Sequence, residues 1–325
     1  MSAPEAMKDI RYEHPTEQDI VRMTGIFNDS RADLPSHRTL KPDEIKAFTF
    51  LDRDFEQEGA WLVYSDAESV AYAQGFVDKE RLEYGRNDAY FDLEMMRRHR
   101  RNGVEEELVA KALGYLRGRG VGHALAQYHE SDVWRKSLLY GAGFGETRKY
   151  FEMVRRNTGA SMEPVFPEGV RTDRRPIAQS PDEIFSRIAD IRNESFVDHF
   201  NYAPMPAERL KNFLRSGDTI FSVTFAEAGG RTIAFALSED RPPQEGGGKE
   251  QEGWVCILGV ANSHRKQGIG RALLLDGVKW LTERGVKTIR LLVDAKNDKA
   301  LGMYKSAGFE IESVEVLMSK DLIES

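Results

Sequence analysis

Along residues 220–318 the hydrophobic positions switch repeatedly between the period of a strand and that of a helix. Ile220 to Phe225 and Thr232 to Leu237 are rich in β-branched and aromatic residues and flank Gly229-Gly230, which predicts a β-hairpin. Trp254 to Val260 is an apolar run of the length of a buried strand. Ile269, Leu273, Leu274, Val278 and Leu281 then recur at helical spacing, and Gly285 ends that helix. Thr288 to Val293 predicts another strand. Asp298 is the expected N-cap of a short helix from Lys299 to Ser306, stopped by Gly308, and Ser313 to Met318 the closing strand.

The first half carries a copy of this pattern. His99-Arg100-Arg101-Asn102-Gly103-Val104 resembles His264-Arg265-Lys266-Gln267-Gly268-Ile269 at an offset of 165 (264 − 99). With no gap, Arg119-Gly120-Val121 falls on Arg284-Gly285-Val286, and Ala142-Gly143-Phe144 on Ala307-Gly308-Phe309. Three anchors at one constant offset are hard to obtain by chance, and so long a period describes two copies of a whole domain. The boundary is expected between Asn157 and Val170, where Gly159, Pro164, Pro167 and Gly169 interrupt both helix and strand patterns. A second soft stretch, Pro242 to Gly253 with Gly246 to Gly248 inside it, lies within the second copy and predicts a surface loop.

Composition narrows the function classes. At 325 residues, with 40% hydrophobic and 30% charged positions, the chain is long enough for two domains that each bury a core. Charges break every apolar run before a span of about 18 residues, so no membrane helix is expected. Met1 to Tyr12 has no apolar stretch behind basic residues, so no secretory signal is expected either. Cys256 is the single cysteine, which excludes an intramolecular disulfide and suits a reducing cytoplasm. A net charge of −7 disfavours general nucleic-acid binding and favours cationic partners such as amines.

The chemistry concentrates where the run Val255-Cys256-Ile257-Leu258-Gly259-Val260 leads into Arg265-Lys266-Gln267-Gly268-Ile269-Gly270-Arg271. A buried strand, a turn and a glycine-containing loop that opens a helix make an anion site, because the first helical amides lack intrahelical partners and carry partial positive charge. Gly268 and Gly270 omit side chains that would keep a pyrophosphate away, and Arg265, Lys266 and Arg271 add charge. A glycine pair alone is equally the mark of an ordinary strand-to-helix turn. Neither G-x-x-x-x-G-K-[ST] nor G-x-G-x-x-G is present at this loop, which removes the commoner nucleotide folds.

Arg265-Lys266-Gln267-Gly268-Ile269-Gly270 is similar to the R-x-x-G-x-G/A signature of the GNAT superfamily of N-acetyltransferases. The block from Asn297 through Ala300 and Tyr304 to Gly308-Phe309 resembles its second hallmark, N-x-x-A-x-x-x-Y-x-x-x-G-F. The tandem arrangement resembles the mycothiol synthase type within that superfamily. The resemblance implies an α/β fold of two tandem GNAT-like domains, each a twisted mixed sheet flanked by helices: residues 1–157 degenerate and non-catalytic, residues 165–325 catalytic. It implies acetyl-CoA as co-substrate and a small-molecule or peptide amine as acceptor; no metal is expected, because the seven histidines show no zinc-like spacing with the cysteine or with one another. Backbone groups of Leu258, Gly259 and Val260 would hold the pantetheine arm and the acetyl carbonyl. Amides from Arg265 to Arg271 would bind the pyrophosphate, and Asn297 and Tyr304 would sit beside the thioester. The acceptor would meet variable segments, here Asn193 to Met205 and Pro242 to Gly253. A glutamate expected on the strand before the loop falls on Trp254, and a tyrosine of the following strand on Leu292, so the thiol-sugar substrate is not carried over with the architecture.

Residue chemistry agrees on Tyr304. Ala300, Tyr304 and Ala307 share a helix face, and a phenol can protonate a departing thiolate. The base is open. With an alkylammonium pKa near 10.4, only about one molecule in 2,500 is a free amine at pH 7, a cost of about 4.6 kcal/mol. Glu252, Asp294 and Glu194 are candidates to remove that proton; a water chain or an already neutral amine would dispense with them. Cys256 in a buried strand reads as packing, and His264 beside the loop as solvated. Carrying the site back by 165 puts Glu105 and Glu106 on Gly270 and Arg271, Leu139 on Tyr304 and Asp132 on Asn297, so the first copy is expected to lack activity. The alternative for the whole chain is a non-catalytic acyl-CoA binding or sensing protein.

Overall fold

A computed structural model describes residues 7–35, 37–157, 162–241 and 251–323. Gly159 of the expected boundary and residues 242–250 of the expected loop lie outside the described residues, as do residues 1–6 of the amino terminus. The chain divides into two compact units, Met1–Lys149 with Val314–Ser325, and Tyr150–Ser313.

In the first unit the strands are β1 (Arg11–Glu13), β2 (Ala60–Ser65), β3 (Glu68–Phe76), β4 (Asp88–Met95) and β5 (His123–His129), neighbours in that order. The helices are α1 (Ile20–Arg31), α2 (Pro42–Ala47), α3 (Lys79–Glu83), α4 (Val104–Gly118) and α5 (Val133–Gly141). Leu108, Val109, Ala112 and Leu116 of α4 pack on Ala71, Ala73, Phe91 and Leu93 of the sheet. Met23, Ile26 and Phe27 of α1 pack with Leu62 and Tyr72 in a second core.

The second unit repeats the scheme. Strand β6 (Gly145–Arg156) enters it, followed by β7 (Arg171–Pro176), α6 (Glu183–Phe196), α7 (Ala207–Leu214), β8 (Ile220–Ala228), β9 (Arg231–Arg241), β10 (Glu252–Val260), α8 (Ile269–Glu283), β11 (Thr288–Asp294) and α9 (Asp298–Ser306), and β12 (Glu310–Asp321) returns the chain to the first unit. The strand order is β6-β11-β10-β9-β8-β7. The predicted hairpin is β8–β9, turned by Gly229 and Gly230 at φ 57° and 75°, the left-handed pair that a tight hairpin requires. Leu274, Leu275, Val278 and Leu281 of α8 bury against Val255, Ile289 and Leu291, while Ile184, Phe185 and Ile188 of α6 join Phe225, Phe235 and Leu237 in a separate core.

The repeat is exact in its elements after the loop. Adding 165 to the bounds of α4, β5, α5 and β6 gives those of α8, β11, α9 and β12. The closing strands, however, are traded. Tyr150–Arg156 of β6 pair antiparallel with β11, and Glu315–Asp321 of β12 pair antiparallel with β5. Copies of one domain present equivalent strand edges, so either closing strand fits either sheet. The compact units therefore differ from two consecutive segments. Among the described residues no helix is long and apolar enough to cross a membrane.

Candidate active site

The site begins where β10 leaves its parallel neighbour. Pairing with β11 joins Glu252, Gly253 and Trp254 to Thr288, Ile289 and Arg290, although β10 runs on to Val260 and β11 to Asp294. On the other edge β10 stays paired to β9 through Val260, with a register shift that leaves Cys256 as an extra residue between Val255 and Ile257. A bulge bends its strand and re-aims the residues beyond it. The edge of Ile257–Val260 thus faces a wedge that β11 does not fill. In the first unit β4 and β5 pair over Asp88–Tyr90 and His123–Leu125, yet β3–β4 has no bulge. Cys256 is the inserted residue: equivalent positions differ by 164 before it (254 − 90) and by 165 after it (257 − 92).

The glycine loop forms one lip of this wedge. Lys266 and Gly268 hold φ 63° and 85°, and α8 starts at Ile269 without a side-chain cap. Its first amides therefore lack the usual capping oxygen. Lys266, Gln267, Gly268 and Arg271 are exposed. Arg265 behaves differently from its expected role. Its guanidinium donates to Val260 O (3.2 Å), Ser195 O (2.6 Å) and the Asp198 carboxylate (2.6 and 2.9 Å), so it fastens the loop to the end of α6. A Cβ on Gly270 would meet Val260 and Leu258 at 3.5 and 3.6 Å and Met303 Sδ at 3.9 Å, ordinary contacts. Glycine at 270 is not forced by packing, and a larger side chain would take the space over the loop.

The other lip is α9. Tyr304 is buried (9% exposed) in the core that includes Leu258 and Met303, edge-on to Phe309. Burial pushes its phenol up to about 12, so it keeps its proton at neutral pH. Asn297, expected at the thioester, caps α9: its Oδ1 accepts from Ala300 N at 3.1 Å, the role the sequence had given to Asp298. Asp132 does the same for α5, accepting from Arg135 N at 3.0 Å. The Asn-to-Asp difference between copies is thus one of two good caps and says nothing about catalysis.

The candidate bases separate. Glu252 lies at the far end of β10, ion-paired to Arg290 at 3.2 Å, six residues from Leu258 and so about 20 Å along the strand. Asp294 ends β11 beside the wedge, its Oδ1 accepting from Lys296 N at 2.9 Å. Glu194 is exposed on α6. Cys256 donates to Glu239 at 3.3 Å, and burial raises its thiol well above the usual range, so it is inert as a nucleophile. His264 hydrogen-bonds Ser263 at 2.9 Å.

The sequence reading missed the wall opposite α9. A Cβ on Gly259 would lie 2.8 Å from Ser195 Cβ and 3.0 Å from Phe196 Cε2, so α6 closes directly onto the wedge. Ser195 is 2% exposed, and its hydroxyl has no partner among the described residues, which marks a polar group awaiting one. Its counterpart in the first unit is Ser30, whose carbonyl accepts from Arg100 at 2.6 Å as that of Ser195 accepts from Arg265.

In the first unit the same places are filled. Glu105, where the second copy has Gly270, is 2% exposed and folds over its own loop, accepting from the amides of Arg101 and Asn102 and from Trp134 Nε1 at 3.3 Å. The loop retains its shape, with Arg101 and Gly103 at φ 71° and 87°. Glu94, where the second copy has Gly259, is 0% exposed and pairs with Arg31 (2.5 Å) and Arg135 (2.9 Å). Asp92 joins both arginines at 3.3 and 2.8 Å. A carboxylate covers the anion loop, and an ion-pair cluster packs the wedge.

A split mixed sheet with an uncapped amide loop and a protonated phenol beside the split defines a fold of the acetyltransferase class. The chain belongs to the acetyltransferase (GNAT) family, whose model matches residues 23–134 and 185–309. It is 33% identical over 218 residues to a mycothiol acetyltransferase of Thermobispora bispora, covering 62% of this chain and 72% of that one. It is 27% identical over 218 residues to the mycothiol acetyltransferase of Propionibacterium freudenreichii subsp. shermanii, covering 62% and 66%. The match thus spans about two thirds of that relative's length. A tandem GNAT protein from the clavulanic acid biosynthesis pathway shares the fold at TM-score 0.75 and 13% identity, covering 98% of this chain and 100% of that one. A GCN5-related N-acetyltransferase from Sphaerobacter thermophilus shares it at TM-score 0.65 and 20% identity, covering 98% of each chain.

Proposed function

We propose that the chain is an acetyl-CoA-dependent N-acetyltransferase that moves the acetyl group to a primary amine by direct attack in a ternary complex, with the second unit as the catalytic one. The observation that carries this is the contrast at one loop: Gly270 leaves the amides open where Glu105 covers them. Amides from Lys266 to Arg271, with the exposed charges of Lys266 and Arg271, would hold the pyrophosphate. The β10 backbone at Leu258–Val260 would hold the pantetheine arm and acetyl carbonyl. Tyr304 gives its proton to the departing thiolate, a step worth about 10²–10⁴ in rate. Arg265 and Asn297 position the loop and α9. The first unit is non-catalytic in this reading.

The relatives named as mycothiol acetyltransferases favour a small amine as acceptor. The test is free-thiol release from acetyl-CoA against polyamines, amino sugars, amino acids and peptides, with calorimetry alongside. Release with one amine class is expected. Tight acetyl-CoA binding without release to any amine would contradict the reaction, and no binding would contradict the cofactor assignment.

A further inference from the structure

The segment that follows α6 brings a titratable ring to the wall of the wedge. His199 packs against Phe196 with ring centroids 4.6 Å apart and the ring planes tilted at 59°, and the edge of Phe196 closes over Gly259. The segment is fixed at both ends. Asn193 exchanges hydrogen bonds with Met205 (3.0 and 3.2 Å), Arg192 donates to Ala203 O at 2.7 Å, and His199 N donates to Phe196 O at 2.8 Å. The imidazole has no side-chain hydrogen bond among the described residues, and it is exposed, so an incoming amine can reach it. Ser195, whose hydroxyl has no partner among the described residues, precedes Phe196 on α6 and sets its Cβ against Gly259. Asp294, at the end of β11 across the wedge, lies near enough for its charge to act on the imidazole.

We infer that His199 is the general base that deprotonates the acceptor amine, a role that rests on the acetyl transfer proposed above. The ammonium gives one proton to the imidazole. Its nitrogen then forms the bond to the thioester carbonyl carbon as the carbon–sulfur bond breaks. Tyr304 protonates the thiolate and regains a proton from the second amine hydrogen, so one net proton leaves through His199 to solvent. The surroundings suit this. Although the residue is exposed, partial desolvation of the ring where it packs on Phe196 lowers the imidazole below its ordinary 6.5, Arg265 and Arg192 push the same way, and Asp198 and Asp294 oppose them. The ring is therefore neutral and able to accept at pH 7.

Two readouts on the full chain decide it. Imidazole nitrogen resonances of ¹⁵N-labelled protein, assigned with His199→Gln, are followed between pH 5 and 8 with and without acetyl-CoA. The His199 signal should titrate below 6.5 and move when acetyl-CoA is added; a signal that ignores acetyl-CoA overturns the placement. With the alkyl amine found by thiol release, His199→Gln should lower kcat about 10²–10³-fold, keep acetyl-CoA affinity within about twofold, and abolish the acid limb of kcat/KM. His199→Ala should regain part of the rate with added imidazole. Full activity in the folded variant, or an unchanged acid limb, overturns the role of His199 alone. Absence of turnover with every amine overturns the transfer reaction and this role with it.

Discussion

Glu105 and Gly270 stand at one position of a repeated loop, and the carboxylate of Glu105 accepts the amides that Gly270 leaves uncovered. The two loops share their left-handed residues, so the difference lies in the side chains, Glu105 and Glu106 against Gly270 and Arg271, and not in the backbone. A buried carboxylate at a helix start is favoured by the same amides and dipole that would favour a phosphate.

Transplanting that side chain should therefore close the second loop. Gly270→Glu is expected to weaken acetyl-CoA binding at least about 100-fold, because a like charge and its volume enter the anion site. Gly270→Ala should cost less than about tenfold, since a Cβ there makes only ordinary contacts. Calorimetry on both variants checks the pair.

Tyr304→Phe should reduce turnover about 10²–10³-fold while leaving acetyl-CoA affinity within about twofold. Its phenol, pushed up to about 12 by burial, stays protonated through neutral pH, so its loss should add no new limb to the rate profile below pH 9. Steady-state kinetics beside a binding isotherm separates the two effects.

Asn297 offers a test between cap and catalyst. Asn297→Asp should keep both stability and turnover, as Asp132 keeps its helix capped in the first unit. Asn297→Ala should lose about 1 kcal/mol of stability. Denaturant melts with parallel activity assays show which role holds.

The buried cluster of the first unit predicts an acid transition. Burial alone would raise Glu94, but Arg135 and Arg31 outweigh it and hold the carboxyl down to about 2. A depressed folded pKa contributes stability above the unfolded value of about 4.5 and loses it as pH falls through about 2, roughly 3 kcal/mol in all. Arg135→Met should cost about 3–5 kcal/mol at neutral pH by leaving Glu94 and Asp92 with one partner. Thermal melts from pH 7 down to 2 follow both.

Most of the fold was legible because the signals were local. The glycines at 229 and 230, the helical spacing from Ile269 to Leu281 and the constant offset of 165 each specify a nearby backbone event. The trade of β6 and β12 was not legible, since either closing strand satisfies either edge and the choice is made in three dimensions. Around the candidate site, the left-handed turn at Gly268 and the inward face of Tyr304 followed from spacing. The contacts of Arg265 and Glu252 did not, because their partners, Ser195 O and Arg290, lie elsewhere in the chain; at Asn297 the cap is local, and two adjacent polar residues, Asn297 and Asp298, competed for it. Ser195 and His199 lie within the segment Asn193 to Met205 expected to meet the acceptor, but neither was singled out in it. Nothing in their sequence neighbourhood announces the approach of α6 to Gly259.

In the proposed enzyme the second copy keeps its cleft open to acetyl-CoA and the first fills its own. Calorimetric stoichiometry of acetyl-CoA on the full chain tests it most directly. One molecule per chain is the predicted result. Two per chain would contradict the filling of the first cleft by Glu105, Glu94 and Arg135, and none would contradict the cofactor assignment of the second.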